Sequence, residues 1–164
     1  MNSAMMQNWN DTFEAWKSYI EARNNLFLKY ANELEVLIRH GYSTKANDEI
    51  HLRYFALDVL KHSSDEQKIQ FLPLLISDVS SPKYSTIARE IILSLPQNYL
   101  MENIERESEF VLKNDDFLDW VNILSLFEDI HPVIAVRLAK RMVNHSNADL
   151  IEWGNEYLTE KNIS

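Results

Sequence analysis

The sequence predicts an all-α protein built from stacked helix pairs, and three observations carry that prediction. A nine-residue pattern occurs twice, as Asn114-Asp115-Asp116-Phe117-Leu118-Asp119-Trp120-Val121-Asn122 and as Asn147-Ala148-Asp149-Leu150-Ile151-Glu152-Trp153-Gly154-Asn155, 33 residues apart. A period of about 20 to 50 residues is the mark of stacked repeat architectures. Glycine is nearly absent: only Gly41 and Gly154 occur. Average usage is near 7% and tight hairpin turns depend on it, so the chain favours helices joined by Ser, Asn and Asp turns. Apolar residues, finally, recur at steps of three and four through most of the chain, the period of an amphipathic helix.

Taken in order, Asp11-Thr12-Phe13-Glu14 reads as a capping box. Apolar positions at 13, 16, 20, 27, 30, 34 and 37 then predict one long N-terminal helix over 11–40. His40-Gly41 is expected to end it, with glycine in the left-handed C′ position; a break at Asn24-Asn25 is the alternative. Asn47, followed by Asp48 and Glu49, is expected to cap the next helix, whose apolar face uses Ile50, Tyr54, Leu57 and Leu60. Ser63-Ser64-Asp65-Glu66 offers another cap, and Pro73 is expected to kink the helix that follows. Ser81-Pro82 reads as N-cap and N1 of a helix lined by Tyr84, Ala88, Ile91, Ile92 and Leu95. Pro96 or Asn98 opens the next, with Leu100, Ile104 and Val111 inward. Asp116 is expected to cap a helix that buries Trp120, Ile123, Leu124 and Phe127. His131-Pro132 restarts the chain with Ile134, Leu138 and Met142 inward, and Asp149 is expected to cap the last helix with Glu152 at N3.

First members of the pairs fall near 48–62, 83–95, 116–128 and 149–160, and second members near 65–78, 97–113 and 132–144. This spacing resembles the HEAT-like helical repeats over 47–161. The resemblance implies a short right-handed α-solenoid of three helix pairs with a closing helix; the HEAT placement of Pro, Asp and Arg is not matched. An irregular helical bundle is the alternative. A chain of 164 residues is expected to form a single domain, 1–164.

Composition narrows function mostly by exclusion. With two glycines 113 positions apart, no dinucleotide fingerprint, phosphate-binding loop or nucleophile elbow can be written. Cysteine is absent, which removes disulfides, thiolate ligands and a cysteine nucleophile. No signal peptide and no membrane span are legible, so a cytoplasmic protein is expected. The five histidines (His40, His51, His62, His131, His145) form no H-x-x-x-H pair, and a structural role at helix ends is expected for His40, His62 and His145. Trp120 and Trp153 recur at the repeat period and are expected to be core residues. Neither a metal site, nor a cofactor, nor catalysis is expected.

Net charge is −9, which opposes nucleic-acid binding. Between Glu102 and Asp129 nine acids face two bases, Arg106 and Lys113. Glu102–Arg106 and Glu109–Lys113 are spaced for i,i+4 pairs. Glu102, Glu105 and Glu109 share a helix face, and Asp115, Asp116 and Asp119 follow, so these six are the candidate partner-binding residues. An acidic edge steers a basic partner. In size, class and charge the chain resembles the immunity proteins of bacterial polymorphic-toxin and contact-dependent inhibition systems. That resemblance implies a non-enzymatic inhibitor, monomeric when free, that blocks the basic cleft of a toxin such as a nuclease. The alternatives are a HEAT-like nucleic-acid enzyme resembling the helical-repeat DNA glycosylases, for which only Arg137, Lys140 and Arg141 cluster, or a scaffold in a larger assembly.

Overall fold

A computed structural model describes residues 3–30, 33–43 and 50–163. Among them the chain is all-helical, with ten helices and no strand. It divides into two compact units, Met1–Val59 and Leu60–Ser164.

The first unit holds α1 (Ser3–Lys29), α2 (Leu34–Ser43) and most of α3 (Ile50–Lys61). Helix α1 begins eight residues before the expected cap. Ala4, Met5, Met6 and Gln7 are good helix formers and no Gly or Pro interrupts them; Asp11 sits mid-helix, accepting from Gln7 Nε2 at 2.8 Å. The single helix expected over 11–40 is two. Helix α1 ends at Lys29 and α2 opens at Leu34, and the Glu33 N–H donates to the Tyr30 carbonyl at 3.0 Å. The apolar phase runs across this break because spacing reports phase, not continuity. Asn47, Asp48 and Glu49 lie outside the described residues.

Gly41 does not end a helix. It lies inside α2 with ordinary negative φ, where a Cβ would come within 2.6 Å of Ala56 Cβ and 2.9 Å of the Leu52 carbonyl. It is there so that α2 and α3 can touch backbone to backbone. Leu34 and Ile38 of α2 and Ala56 and Leu57 of α3 are buried. Helix α1 meets α3 through its second half: the Tyr19 hydroxyl donates to Asp58, Arg23 Nη1 donates to the same carboxylate at 3.4 Å, and the Tyr19 and Phe55 rings meet edge-on. Burial first, and Asp58 second, push the Tyr19 phenol up from its ordinary pKa.

The second unit contains α4 (Asp65–Gln70), α5 (Leu72–Val79), α6 (Ser85–Leu93), α7 (Gln97–Leu112), α8 (Phe117–Ile130), α9 (Pro132–Val143) and α10 (Ala148–Glu160). Ser64 caps α4 in a full capping box with Gln67. Pro73 starts a helix rather than kinking one: Phe71 breaks the run, and Pro occupies the first turn of α5, where a missing N–H costs nothing. After Ser81-Pro82 the chain makes a turn before α6 opens at Ser85. Asp116 caps α8 as expected, accepting from Leu118 N and Asp119 N. His131 caps α9 through its ring, which accepts from Val133 N at 3.2 Å. The cap of α10 is Asn147, not Asp149, which instead stands in the first turn near the positive dipole end.

Ile91, Ile92, Leu100, Ile104, Ile123, Phe127, Ile134 and Leu138 are at most 2% exposed and form the centre of this unit. Helix α5 packs on α6 and α7, α8 on α7 and α9, and α9 on α10. Gly154 repeats the role of Gly41, since a Cβ there would lie 2.9 Å from both the Ala139 carbonyl and Met142 Cβ. The left-handed residues that end helices are not glycines but Asp115 (φ 53°) and Asn162 (φ 55°), types that tolerate that region. Beyond Asn162, Ile163 N donates to the Leu158 carbonyl at 2.9 Å, the six-to-one bond of a Schellman end.

Candidate protein-binding surface

The six acidic candidates sort into three kinds. Glu105 and Glu109 are ion-paired across to α9. Arg137 grips Glu105 with two parallel bonds, Nε to Oε1 at 3.0 Å and Nη2 to Oε2 at 2.6 Å. Arg141 grips Glu109 end-on, Nη1 donating to Oε1 at 2.6 Å and Nη2 to Oε2 at 3.1 Å. Such forks are the strongest geometry a carboxylate and guanidinium can make, although at this exposure each is worth at most about 1 kcal/mol. Glu105 raises the Arg137 pKa further, against a smaller opposing effect of burial. Asp115 and Asp116 are occupied locally. Asp115 lies 3.3 Å from His145 Nε2, and Asp116 holds the start of α8. Glu102 is exposed and Asp119 half-buried, and neither makes a side-chain ion pair among the described residues.

The i,i+4 pairs expected within α7 are not the ones formed. Arg106 turns instead to Glu107 at 2.7 Å and to Asn103 at 2.8 Å. The expected acidic face of α7 and the basic cluster of α9 are therefore two halves of one feature. Both forks join residues 32 apart, close to the period read from the tryptophans. That period is the sequence signal that could have paired Arg137 and Arg141 with Glu105 and Glu109, and the i,i+4 reading passed over it.

Other acids of this stretch are also spent internally. Glu128 accepts from both Tyr157 and Lys161 of α10 and its vicinity. These bonds, Lys161 first, hold its carboxyl below the usual value. Burial, then Glu128, pushes the Tyr157 phenol up. Arg89 of α6 binds Asp129 and the Ser125 carbonyl.

What sequence reasoning passed over is the outer face of α10. Leu150 and Gly154 face α9 and are buried. At 100° per residue Asp149, Glu152, Glu156 and Glu160 form one stripe on the opposite side, and Glu152, Glu156 and Glu160 are all exposed. None of the four has an ion pair among the described residues. Like charges at i,i+4 cost about 0.2–0.5 kcal/mol per pair, so Glu152–Glu156–Glu160 gives nothing back to the fold.

Trp153 stands beside this stripe and is not a core residue. It is 41% exposed, whereas Trp120 is 4% exposed. Trp153 meets the Phe117 ring edge-on at 6.0 Å, tying the first turn of α8, with Asp116 and Asp119, to α10. Trp120, by contrast, is enclosed by the His145 ring at 5.1 Å and the Arg141 guanidinium at 5.4 Å. The two tryptophans share a place in the period but not an environment: Trp120 is enclosed, and Trp153 lies beside the exposed outer face of α10. Among the described residues no group of three or more His, Asp or Glu is placed to hold a metal, and no helix is long and apolar enough to cross a membrane. Comparison with protein-family models, curated proteins and solved structures returns no significant match.

Proposed function

We propose that this chain is a non-enzymatic protein-binding module: an acidic inhibitor, of the immunity-protein kind, that holds a basic partner such as a nuclease toxin domain. One observation carries the reading. Once the internal forks are subtracted, exposed acids without ion pairs gather on α10 (Asp149, Glu152, Glu156, Glu160) around a half-exposed tryptophan, with Asp116, Asp119 and Glu102 as further contacts. An aromatic anchor inside a polar rim is the anatomy of an interface hot spot. Excess acid around it raises the association rate with a basic cleft. Glu105, Glu109 and Asp115 belong to the same reading as paired residues, which keep α7 and α9 rigid behind the contact face.

The repeat supports the architecture that the resemblance implied. Rungs Glu105–Arg137 and Glu109–Arg141 ascend together, so α7 and α9 run side by side in one direction. Phe117–Trp153 and Glu128–Lys161 do the same for α8 and α10. Parallel neighbours at 32 to 36 residues fit successive units of a HEAT-like stack. The nucleic-acid enzyme is the weaker alternative, because Arg137 and Arg141, two of its three basic residues, are neutralised by α7.

Toxin and immunity genes lie side by side, so the test is co-expression with the neighbouring gene's product, followed by titration calorimetry at low and high salt. Glu152→Lys with Glu156→Lys is expected to weaken binding at least tenfold while leaving helicity by circular dichroism unchanged. Undiminished affinity, or tight low-salt retention of duplex DNA on a filter, would sink the proposal.

A further inference from the structure

The first five turns of α1 pose a separate question. Every described side chain from 5 to 18 is exposed, and the side-chain contacts seen among them stay within the helix: Gln7–Asp11, Thr12 to the Asn8 carbonyl, Phe13–Trp16 and Lys17–Glu14. Yet this stretch is strongly apolar on one side. Trp9 is 69% exposed, Trp16 57%, Met5 55%, Phe13 51% and Met6 39%. A helix of about fifteen residues without tertiary support is marginal in water, and one that shows two tryptophans and a phenylalanine to solvent is disfavoured further.

The spacing says what kind of surface this is. Met6, Trp9, Phe13, Trp16 and Ile20 fall at alternating steps of three and four, the a and d positions of consecutive heptads. The flanking positions are Met5, Thr12 and Tyr19 on one side and Asn10 and Lys17 on the other. Lys17 is therefore the single charge on either rim; Asp11 and Glu14 point away, more than 90° from the seam at 100° per residue. An anionic membrane calls for rows of Lys and Arg beside the apolar face, and a basic protein calls for acids there. Neither is present. Nearly neutral rims are what two copies of one seam can share without like-charge repulsion.

We propose that α1 pairs with α1 of a second copy, through residues 5–20, into a two-fold symmetric dimer, in place of the free monomer expected from the sequence. The area is adequate. The five exposed side chains leave roughly 600 Å² of apolar surface per copy, taking about 150–250 Å² for each full-sized side chain. A stable interface uses about 800 Å² per partner, and the rim residues supply the remainder. The pairing is independent of the acidic face on α10.

Sedimentation equilibrium of the full chain across about 1–200 μM tests it, in a concentration range that bridges typical dimer constants. The wild type is expected to show a monomer–dimer equilibrium, and its tryptophan emission to shift to the blue as the dimer forms. Trp9→Glu with Trp16→Glu is expected to weaken association at least a hundredfold. Ser18→Glu, on the opposite face, controls for an added charge and is expected to leave the dimer intact. A wild type monomeric throughout, a double variant that still dimerises with native helicity, or recruitment of the monomer to phosphatidylcholine/phosphatidylglycerol vesicles would each overturn the proposal.

Discussion

The two units use the same helix chemistry and reach different ends. From α5 onward each helix buries apolar residues against its neighbours, and the acids Glu105, Glu109, Glu128 and Asp129 are paired between helices, whereas those on the outer face of α10 are not. In the first unit α2 and α3 pack backbone to backbone at Gly41, but the first half of α1 buries nothing. Amphipathic periodicity alone does not distinguish these cases. A 3.6-residue stripe states that a face seeks cover, and leaves open whether the cover comes from the same chain.

That contrast can be broken at several levels of force. The largest expected effect is at Phe127, 1% exposed in the second unit. Phe127→Ala leaves a cavity and should cost about 3–5 kcal/mol in urea unfolding. Leu28→Ala, at a side chain 82% exposed on α1, should stay within about 0.5 kcal/mol. Equal losses at both sites would mean that the two regions are alike after all.

Next come the glycines. Alanine is the better helix former by about 1 kcal/mol, so Gly154→Ala would stabilise α10 if propensity ruled. The added Cβ meets the backbone of α9 instead, and overpacking of this kind costs about 1–3 kcal/mol. A lowered melting temperature is expected for Gly154→Ala, and likewise for Gly41→Ala against α3. A raised one would show that the close approach is dispensable.

The smallest effect is electrostatic. Lys161 and Tyr157 hold the Glu128 carboxyl below its ordinary value of 4.5. Its contribution is therefore complete above that value and is lost as pH falls through the lowered folded-state one. Thermal melts between about pH 2 and 6 should show this acid-side slope in the wild type and a shallower one in Glu128→Gln.

How much of this was legible beforehand follows from which interactions are local. Caps at Ser64 and Asp116, the restart at His131-Pro132 and the inward faces of α7, α8 and α9 were readable, because each depends on residues within one or two turns. Asn147 was missed for Asp149 since both are good caps two positions apart. Gly41 was read as a helix end because sequence cannot tell a glycine that needs positive φ from one that must make room. Glu105 looked free, and Glu109 was paired with Lys113, because the arginines that hold them lie 32 residues on, although the repeat period itself pointed there. Trp153 was placed in the core by that same period, which matches positions along the chain and does not state what covers them.

The two forks between α7 and α9 have a consequence for how this chain can change length. Their rungs are four residues apart on both helices, 105 to 109 and 137 to 141. Deleting one residue between Arg137 and Arg141 rotates the second guanidinium by about 100° and removes one rung while leaving the other. A residue gained or lost in the connection at 144–147 disturbs neither. Natural variation in length should therefore collect in the connections, and a shift within α9 should be tolerated only as a whole turn.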